Sequence, residues 1–149
     1  MGGAGNDTLH GGPGRDVLWC GAGECTVVLA GGVGDSTAKR IASLGTDRIH
    51  GFAPEHGQFR LEAASFGLAP GPVTEGVNYF VLTTAEDTLA LPQEGGALLL
   101  IGADDSASDL ELWFVPVHAS DAPVERYLLA TLVDGPLGIP LTATDFELF

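Results

Sequence analysis

Large apolar residues recur every nine positions at the start of the chain. Leu9, Leu18 and Val27 each occupy the centre of a short triplet, and a glycine-rich stretch precedes each triplet. Successive side chains of a strand point to opposite faces, so the central residue should point inward and its two neighbours outward. The pattern predicts three short strands separated by glycine-rich loops.

Apolar and polar residues alternate again between residues 45 and 61. Ile49 stands between polar neighbours, turn residues follow at Pro54–Gly57, and alternation resumes through Phe59 and Leu61. Two alternating runs around a turn are typical of a β-hairpin. We therefore expect these two runs to pair with each other.

Glycine is concentrated in the first part of the chain, where 11 of the 22 glycines lie between Gly2 and Gly34. Residues 2–10 and 11–19 both follow the nonapeptide pattern G-G-x-G-x-D-x-U-x, in which U is a large apolar residue. Residues 20–28 keep the period and the apolar eighth position, but they lose the first glycine and the sixth-position aspartate. A fourth loop, residues 31–35, is out of register.

This spacing suits a loop that binds a cation. Glycine adopts backbone conformations that are closed to other residues, so carbonyl oxygens can turn towards a common centre. An aspartate at position six adds an anionic oxygen, the ligand type that calcium prefers. If two nonapeptides make one turn of a flattened parallel coil, each ion lies between loops that are two repeats apart.

The tandem nonapeptides resemble the calcium-binding repeats of RTX proteins. The resemblance implies Ca²⁺ as the bound ion and a short parallel β-roll as the local fold. The calcium ligands that it implies are Gly2, Gly3, Gly5, Asp7, Gly11, Gly12, Gly14, Asp16 and Asp35.

Each of the implied calcium sites lacks a ligand. The loop of Asp7 should share an ion with the loop eighteen residues on, where Cys25 replaces the aspartate, and the loop of Asp16 should share one with the loop of Asp35. We interpret the repeats as the last, degenerate turns of a longer array, with Met1 as an artificial or internal start. Our hypothesis for Cys20 and Cys25 is a disulfide that clamps the defective loop after export. The alternative is two unpaired residues that pack as small apolar groups.

Two later segments are similar to regions of serralysin-like and other RTX exports. Residues 45–61 resemble the D-x-I-x-x-F … D-x-I-x-L stretch that follows the repeats, with Asp47, Ile49 and Phe52 in place and Gln58 where an aspartate is usual. The end of the chain resembles the A-T-L-x-G … L-T-A-x-D-F ending of these exports. In that family the uncleaved C-terminus is read by the type I secretion apparatus, an ABC transporter with a membrane-fusion protein and an outer-membrane channel. The implied signal is Asp145, Phe146, Glu147, Leu148 and Phe149.

The remaining runs are rich in β-branched, aromatic and other apolar residues, and no long helical periodicity competes with them. Only Ala63–Phe66 is expected to form a helical turn. We therefore predict an all-β fold: a β-roll over residues 1–37, followed by an antiparallel β-sandwich and secretion target region over residues 38–149. The further strands predicted are Tyr79–Thr83, Ala97–Ile101, Leu110–Val117, Arg126–Val133 and Phe146–Phe149.

The charge of the chain limits its partners. It has 20 carboxylates, six basic residues and a net charge of −14. Such a chain repels phosphate backbones and anionic lipid headgroups, so nucleic acid and membrane surfaces are poor partners. No apolar run approaches the ~20 residues that a membrane-spanning helix needs, so stable membrane insertion is not expected.

No catalytic centre is expected in this chain. The four histidines form no H-E-x-x-H motif, and no G-x-S-x-G nucleophile elbow is present. The sequence therefore indicates a non-catalytic calcium-binding and secretion-signal module of a larger exported protein, which folds on calcium binding outside the cell. Two alternatives stay open. One is a fragment of a secreted protease or lipase without its catalytic domain, and the other is an extracellular adhesin or carbohydrate-binding module.

Overall fold

The computed structural model describes residues 1–82, 96–101, 109–116, 125–133 and 141–149. Within them the chain forms one α-helix, α1 (Thr37–Leu44), and short 3-10 turns at Ala63–Phe66 and Ala143–Asp145. The strands are β1 (Asp7–His10), β2 (Val17–Trp19), β3 (Cys25–Leu29), β4 (Asp47–His50), β5 (Gly57–Leu61), β6 (Gly71–Pro72), β7 (Tyr79–Leu82), β8 (Ala97–Ile101), β9 (Leu110–Val115), β10 (Tyr127–Val133) and β11 (Phe146–Leu148).

These strands form two mixed sheets. The first sheet has the order β1-β3-β5-β11-β6 and is parallel up to β11, with β6 antiparallel at its edge. The second has the order β2-β4-β10-β9-β8-β7, with β2, β4 and β10 parallel and β9 antiparallel to both of its neighbours. Strands β1 to β5 alternate between the two sheets, so the chain follows the path of a flattened parallel coil.

The all-β prediction is confirmed, but a β-roll followed by a separate sandwich is not. Both sheets are mixed, and each continues from strands of the repeats into strands of the C-terminal part. The predicted boundary between residues 37 and 38 stays a prediction, although strands from both sides of it pair within each sheet.

The predicted hairpin over residues 45–61 is wrong. Strand β4 lies between β2 and β10 in the second sheet, whereas β5 lies between β3 and β11 in the first. The alternation of the two runs is real, since Ile49, Phe59 and Leu61 are all buried. A period of two identifies the buried face of a strand, but it does not identify the neighbouring strand.

The core lies between the facing sides of the two sheets. Leu9, Leu18 and Val27 are buried, as the nine-residue pattern predicted. Towards the C-terminal end the core contains aromatic rings, and Phe146 lies 5.4 Å from Phe59 and 5.0 Å from Tyr79 between ring centroids.

Helix α1 was not expected from the sequence. Its start is fixed by Ser36, whose hydroxyl accepts a hydrogen bond from the amide of Lys39 (3.3 Å), and it ends at Gly45, where φ is +75°. Only Ile41 and Leu44 of the helix are buried. The helix has only eight residues, too few for the long 3.6-residue periodicity on which the sequence prediction relied.

The later strands agree closely with the sequence. Strand β8 and the 3-10 turn at Ala63–Phe66 have the predicted bounds, and β7, β9, β10 and β11 lie inside the predicted ranges. The last predicted residues of two ranges, Thr83 and Val117, lie outside the described residues. Among the helices that the structure describes, none is long and apolar enough to cross a bilayer.

Candidate calcium centre

The glycine-rich loops stack in two rows, one on each edge of the coil. Loops that lead into the first sheet form one row, which we call the cysteine row and define as residues 2–7 and 20–25. Loops that lead into the second sheet form the other, the aspartate row, defined as residues 11–16 and 45–47. Parallel pairing of β1 with β3 and of β2 with β4 sets the register of each row.

In the cysteine row, strand pairing places Asp7 beside Cys25, the partner that the eighteen-residue spacing predicted. The two loops are held together by backbone hydrogen bonds such as that from the amide of Gly2 to the carbonyl oxygen of Trp19, at 2.7 Å. The Asp7 carboxylate accepts a hydrogen bond from the amide of Gly3 at 2.6 Å. The row therefore contains one sixth-position carboxylate, which is already bonded within its own loop.

The same row contains a covalent link. Cys20 and Cys25 form a disulfide, with their Cα atoms 5.7 Å apart. Cys20 follows β2 and Cys25 begins β3, so the bond joins the end of a strand in one sheet to the start of a strand in the other. Loop 20–25 is thus closed by a bond between its own two ends.

In the aspartate row, two carboxylates meet. The register of β2 and β4 pairs Val17 with Arg48, which places Asp16 beside Asp47. The amide of Asp16 donates to Oδ1 of Asp47 at 2.9 Å, and the amide of Arg48 donates to the carbonyl oxygen of Asp16 at 2.8 Å. Oδ2 of Asp47 and both carboxylate oxygens of Asp16 take no part in these bonds.

The Oδ2 atoms of Asp47 and Asp16 both face Gly11, in the first loop of the row. A Cβ atom placed on Gly11 would lie 2.5 Å from Oδ2 of Asp47 and 3.2 Å from Oδ2 of Asp16. Any side chain at this position would crowd both carboxylates. The absence of a side chain on Gly11 therefore leaves a hollow into which two anionic oxygens point.

Asp47 is buried, and Asp16 is half-buried with its Oδ2 atom out of contact with solvent. Asp47 is 2% exposed, and it shares a small cavity with the apolar side chains of Leu29, Leu44 and Leu129. Burial raises the pKa of Asp47 to about 6; the hydrogen bond from the Asp16 amide opposes this rise, and the Asp16 charge adds to it. Oδ2 of Asp16 is buried and has no hydrogen-bond partner in the part of the chain that the structure describes.

This arrangement fits a hard cation such as calcium. Placing a buried carboxylate beside a second one is costly, and an orphaned buried oxygen adds to that cost. Neither Asp16 nor Asp47 takes part in the ion pairs Asp35–Lys39 and Arg60–Glu147. No group of three or more His, Cys, Asp or Glu side chains clusters within the described ranges, so further ligands would have to be backbone oxygens or water.

The carboxylate beside Asp16 is Asp47 and not Asp35, which corrects the pairing expected from the sequence. Asp35 lies immediately before α1, where its Oδ1 is 2.7 Å from Nζ of Lys39. The chain then enters a helix where the repeat pattern would require a strand. This inserted helix lengthens the interval between the two aspartates of the row to 31 residues, against the eighteen of an uninterrupted coil.

A local signal could have identified Asp47. Asp7 and Asp16 are each followed by the pattern x-U-x, in which U is the buried residue of the strand. Asp47 is followed by Arg48, Ile49 and His50 in the same pattern, and Gly45 keeps the fourth-position glycine in front of it. The second half of the nonapeptide therefore survives where its first two glycines have been replaced.

The C-terminal segment is part of the first sheet. Phe146 and Leu148 are buried, and β11 lies between β5 and β6. Glu147 forms an ion pair with Arg60 at 2.6 Å, and the Arg60 guanidinium also lies 4.7 Å from the ring centre of Phe149. Asp145 accepts a hydrogen bond from the amide of Thr142 at 2.6 Å. In the folded chain these residues are therefore held in place by neighbouring strands.

Comparison with known proteins identifies the start of the chain. Residues 1–24 match the family model of the RTX calcium-binding nonapeptide repeat, which contains four copies of the repeat. Curated proteins and solved structures gave no match. The chain therefore begins with calcium-binding repeats of the RTX type, and Asp7 and Asp16 are their sixth-position aspartates.

Proposed function

We propose that this chain is a calcium-dependent folding and export module, and that its calcium ion is held by Asp16 and Asp47. The observation that carries the proposal is the orphaned Oδ2 of Asp16, buried beside a second buried carboxylate. A bound calcium ion would neutralise both carboxylates and satisfy this oxygen. Carbonyl oxygens of Gly11–Gly14 and water would supply the remaining ligands, since calcium takes six to eight oxygens.

Calcium bound in this way would stabilise the folded coil. An ion that binds only the folded state contributes RT ln(1 + [Ca²⁺]/Kd), which is about 1.4 kcal/mol at ten times Kd. Without the ion, carboxylate repulsion and the high backbone entropy of the glycines favour the open chain. Sites of the extracellular class, with Kd of about 10⁻⁴ to 10⁻³ M, stay empty in a calcium-poor cell and fill outside it.

Export would precede this folding step. The C-terminal residues Asp145–Phe149 are proposed as the signal for a type I secretion apparatus, on the basis of their resemblance to the ends of RTX exports. Because Phe146 and Leu148 are buried in the folded chain, these two residues of the signal are accessible to a receptor only while the chain is open, whereas Glu147 and Phe149 are exposed in both states. A chain that folds only after it meets calcium would keep the signal readable until export is complete.

The calcium proposal is tested by far-UV circular dichroism of the chelated chain during titration with calcium. We expect β signal to increase near millimolar calcium for the wild type. The variant Asp47→Asn should show no calcium response, because it removes one ligand charge. Asp35→Asn is the matched control, since Asp35 is an exposed aspartate outside the row, and it should respond as the wild type does. An Asp47→Asn variant that titrates like the wild type would sink the assignment.

The export proposal needs a separate test in cells that contain a type I apparatus. Removal of residues 145–149 should abolish release of the chain into the medium. Asp47→Asn should leave release intact, because it changes calcium binding but not the signal. Undiminished release of the truncated chain would overturn the role given to its C-terminus.

A further inference from the structure

The third nonapeptide, residues 20–28, departs from the repeat pattern at two positions only, the first and the sixth. These positions hold Cys20 and Cys25, and the two residues form a disulfide. The glycines at positions two and four and the apolar residue at position eight are all kept. The two departures are therefore one feature, a covalent bond placed across an otherwise intact repeat.

Positions one and six face each other in the two complete repeats. A Cβ atom placed on Gly2 would lie 3.0 Å from Oδ2 of Asp7, and one placed on Gly11 would lie 3.2 Å from Oδ2 of Asp16. In a calcium-binding loop this proximity favours glycine at position one. When both positions hold cysteine, the same proximity brings two sulfur atoms within bonding reach, since bonded cysteines have Cβ atoms about 4 Å apart.

The disulfide lies where the cysteine row lacks an ion site. Strand register sets Cys25 beside Asp7, so an aspartate in place of Cys25 would complete a carboxylate pair like that of the aspartate row. On the other side of the loop, the amides of Cys20 and Cys25 donate to the carbonyl oxygens of His50 and His56, both at 2.9 Å. The closed loop is therefore held between two neighbours, one on each side.

We propose that the Cys20–Cys25 disulfide replaces a calcium ion in the cysteine row, so that the folded coil is stabilised by oxidation in one row and by calcium in the other. The two thiols lose two protons and two electrons to an external disulfide, such as that of a thiol–disulfide oxidoreductase, which is reduced to two thiols. Reduction reverses the step and opens the loop. The replacement of an ion by the disulfide holds whether or not Asp16 and Asp47 bind calcium, and only the role of calcium in the other row rests on the proposed function.

Replacing the ion by a disulfide would make folding depend on two properties of the surroundings, the calcium concentration and the redox state. A calcium ion restrains a loop only where calcium is abundant, and a disulfide persists only where thiols are oxidised. A chain that uses one restraint in each row stays open where calcium is scarce and thiols are reduced. It closes where both conditions are reversed.

The test restores the repeat. The double variant Cys20→Gly/Cys25→Asp has a complete nonapeptide, G-G-A-G-E-D-T-V-V, and places a second carboxylate beside Asp7. Isothermal titration calorimetry of the full chain should show one more calcium ion per chain in this variant than in the oxidised wild type. In an Asp47→Asn background the count should rise from zero to one, which separates this inference from the calcium proposal. A folded restored variant that binds no additional calcium would overturn the inference.

Two further measurements guard against misfolding of that variant. The matched control Cys20→Ser/Cys25→Ser lacks both the bond and the new carboxylate, so it should gain no calcium. In the wild type at saturating calcium, reduction should speed hydrogen exchange of the row's bonded amides, Gly2, Gly5 and Cys25, at least tenfold. Unchanged exchange on reduction would show that the disulfide restrains nothing, and the proposal would fail.

Discussion

The two rows of loops are built on the same repeat, but they differ in the side chains that meet at its sixth position. In the aspartate row, the buried Asp47 meets the half-buried Asp16. In the cysteine row, Asp7 meets Cys25, which is bonded to Cys20 instead. The backbone is stacked in the same parallel register on both edges of the coil. Repeat geometry therefore fixes where a restraint is needed, and the side chain at position six decides whether an ion or a covalent bond supplies it.

The aspartate row, which keeps both carboxylates, is also the row with the longer insertion. Helix α1 separates the two strands of the aspartate row, yet the register still brings Asp47 to Asp16. A helix can bulge from the edge of a coil without disturbing the pairing of the strands that flank it. Sequence distance is thus a poor guide to partnership in a coil whose loops vary in length.

The largest effect that distinguishes the rows concerns pH in the absence of calcium. The raised pKa of Asp47, about 6 against 3.8 in the open chain, means that the folded chain holds this proton more tightly. The contribution of this group to the free energy of unfolding is therefore complete below pH 4. It decreases as the pH rises to 6, by up to about 3 kcal/mol.

Far-UV circular dichroism of the chelated chain at pH 4, 5, 6 and 7 measures this loss as a fall in the folded fraction, with Asp47→Asn as the reference for all other carboxylates. The loss should be absent from the variant and should disappear from the wild type at saturating calcium, because the ion replaces the proton. Equal pH dependence in the two chelated proteins would contradict the buried pair.

A smaller effect tests the hollow above Gly11. Gly11→Ala should destabilise the chain by about 1–3 kcal/mol and weaken calcium binding, because its Cβ would crowd Oδ2 of Asp47. The matched variant is Gly3→Ala, in the cysteine row, where a Cβ would meet nothing within 4 Å. Thermal unfolding with and without calcium compares the two, and equal losses would show that the hollow has no special role.

The smallest effect belongs to Asp35, which the sequence placed in the calcium site. Its ion pair with Lys39 is exposed, with side chains 77% and 66% exposed, so Asp35→Asn should cost only about 0.2–0.5 kcal/mol. Its calcium affinity should equal that of the wild type. A loss of calcium affinity in this variant would show that Asp35, and not Asp47, is the ligand that accompanies Asp16.

The sequence was sufficient for the described strands except β6, whose residues were expected to form a turn, and insufficient for their partners. Burial of Leu9, Leu18 and Val27 followed from the nine-residue period, and β8 followed from an apolar run bounded by turns. The pairing of β4 and β5 with strands distant in the chain did not follow, because alternation carries no information about neighbours.

Half of the candidate site was predicted from the sequence. Asp16 was identified by its repeat, but its partner was assigned by counting residues, and α1 disrupted the count. The helix itself was missed because its eight residues are too few for the long periodicity that the prediction sought. The information missing for the partner of Asp16 was the long-range strand register, which only the folded chain reveals.

The most direct test of the account is the location of the bound calcium. Isothermal titration calorimetry of the oxidised chain should give one calcium ion per chain for the wild type and for Asp7→Asn, and none for Asp47→Asn. That result would place the ion in the aspartate row. Loss of binding in Asp7→Asn with binding retained in Asp47→Asn would place it in the cysteine row and contradict the division between the two.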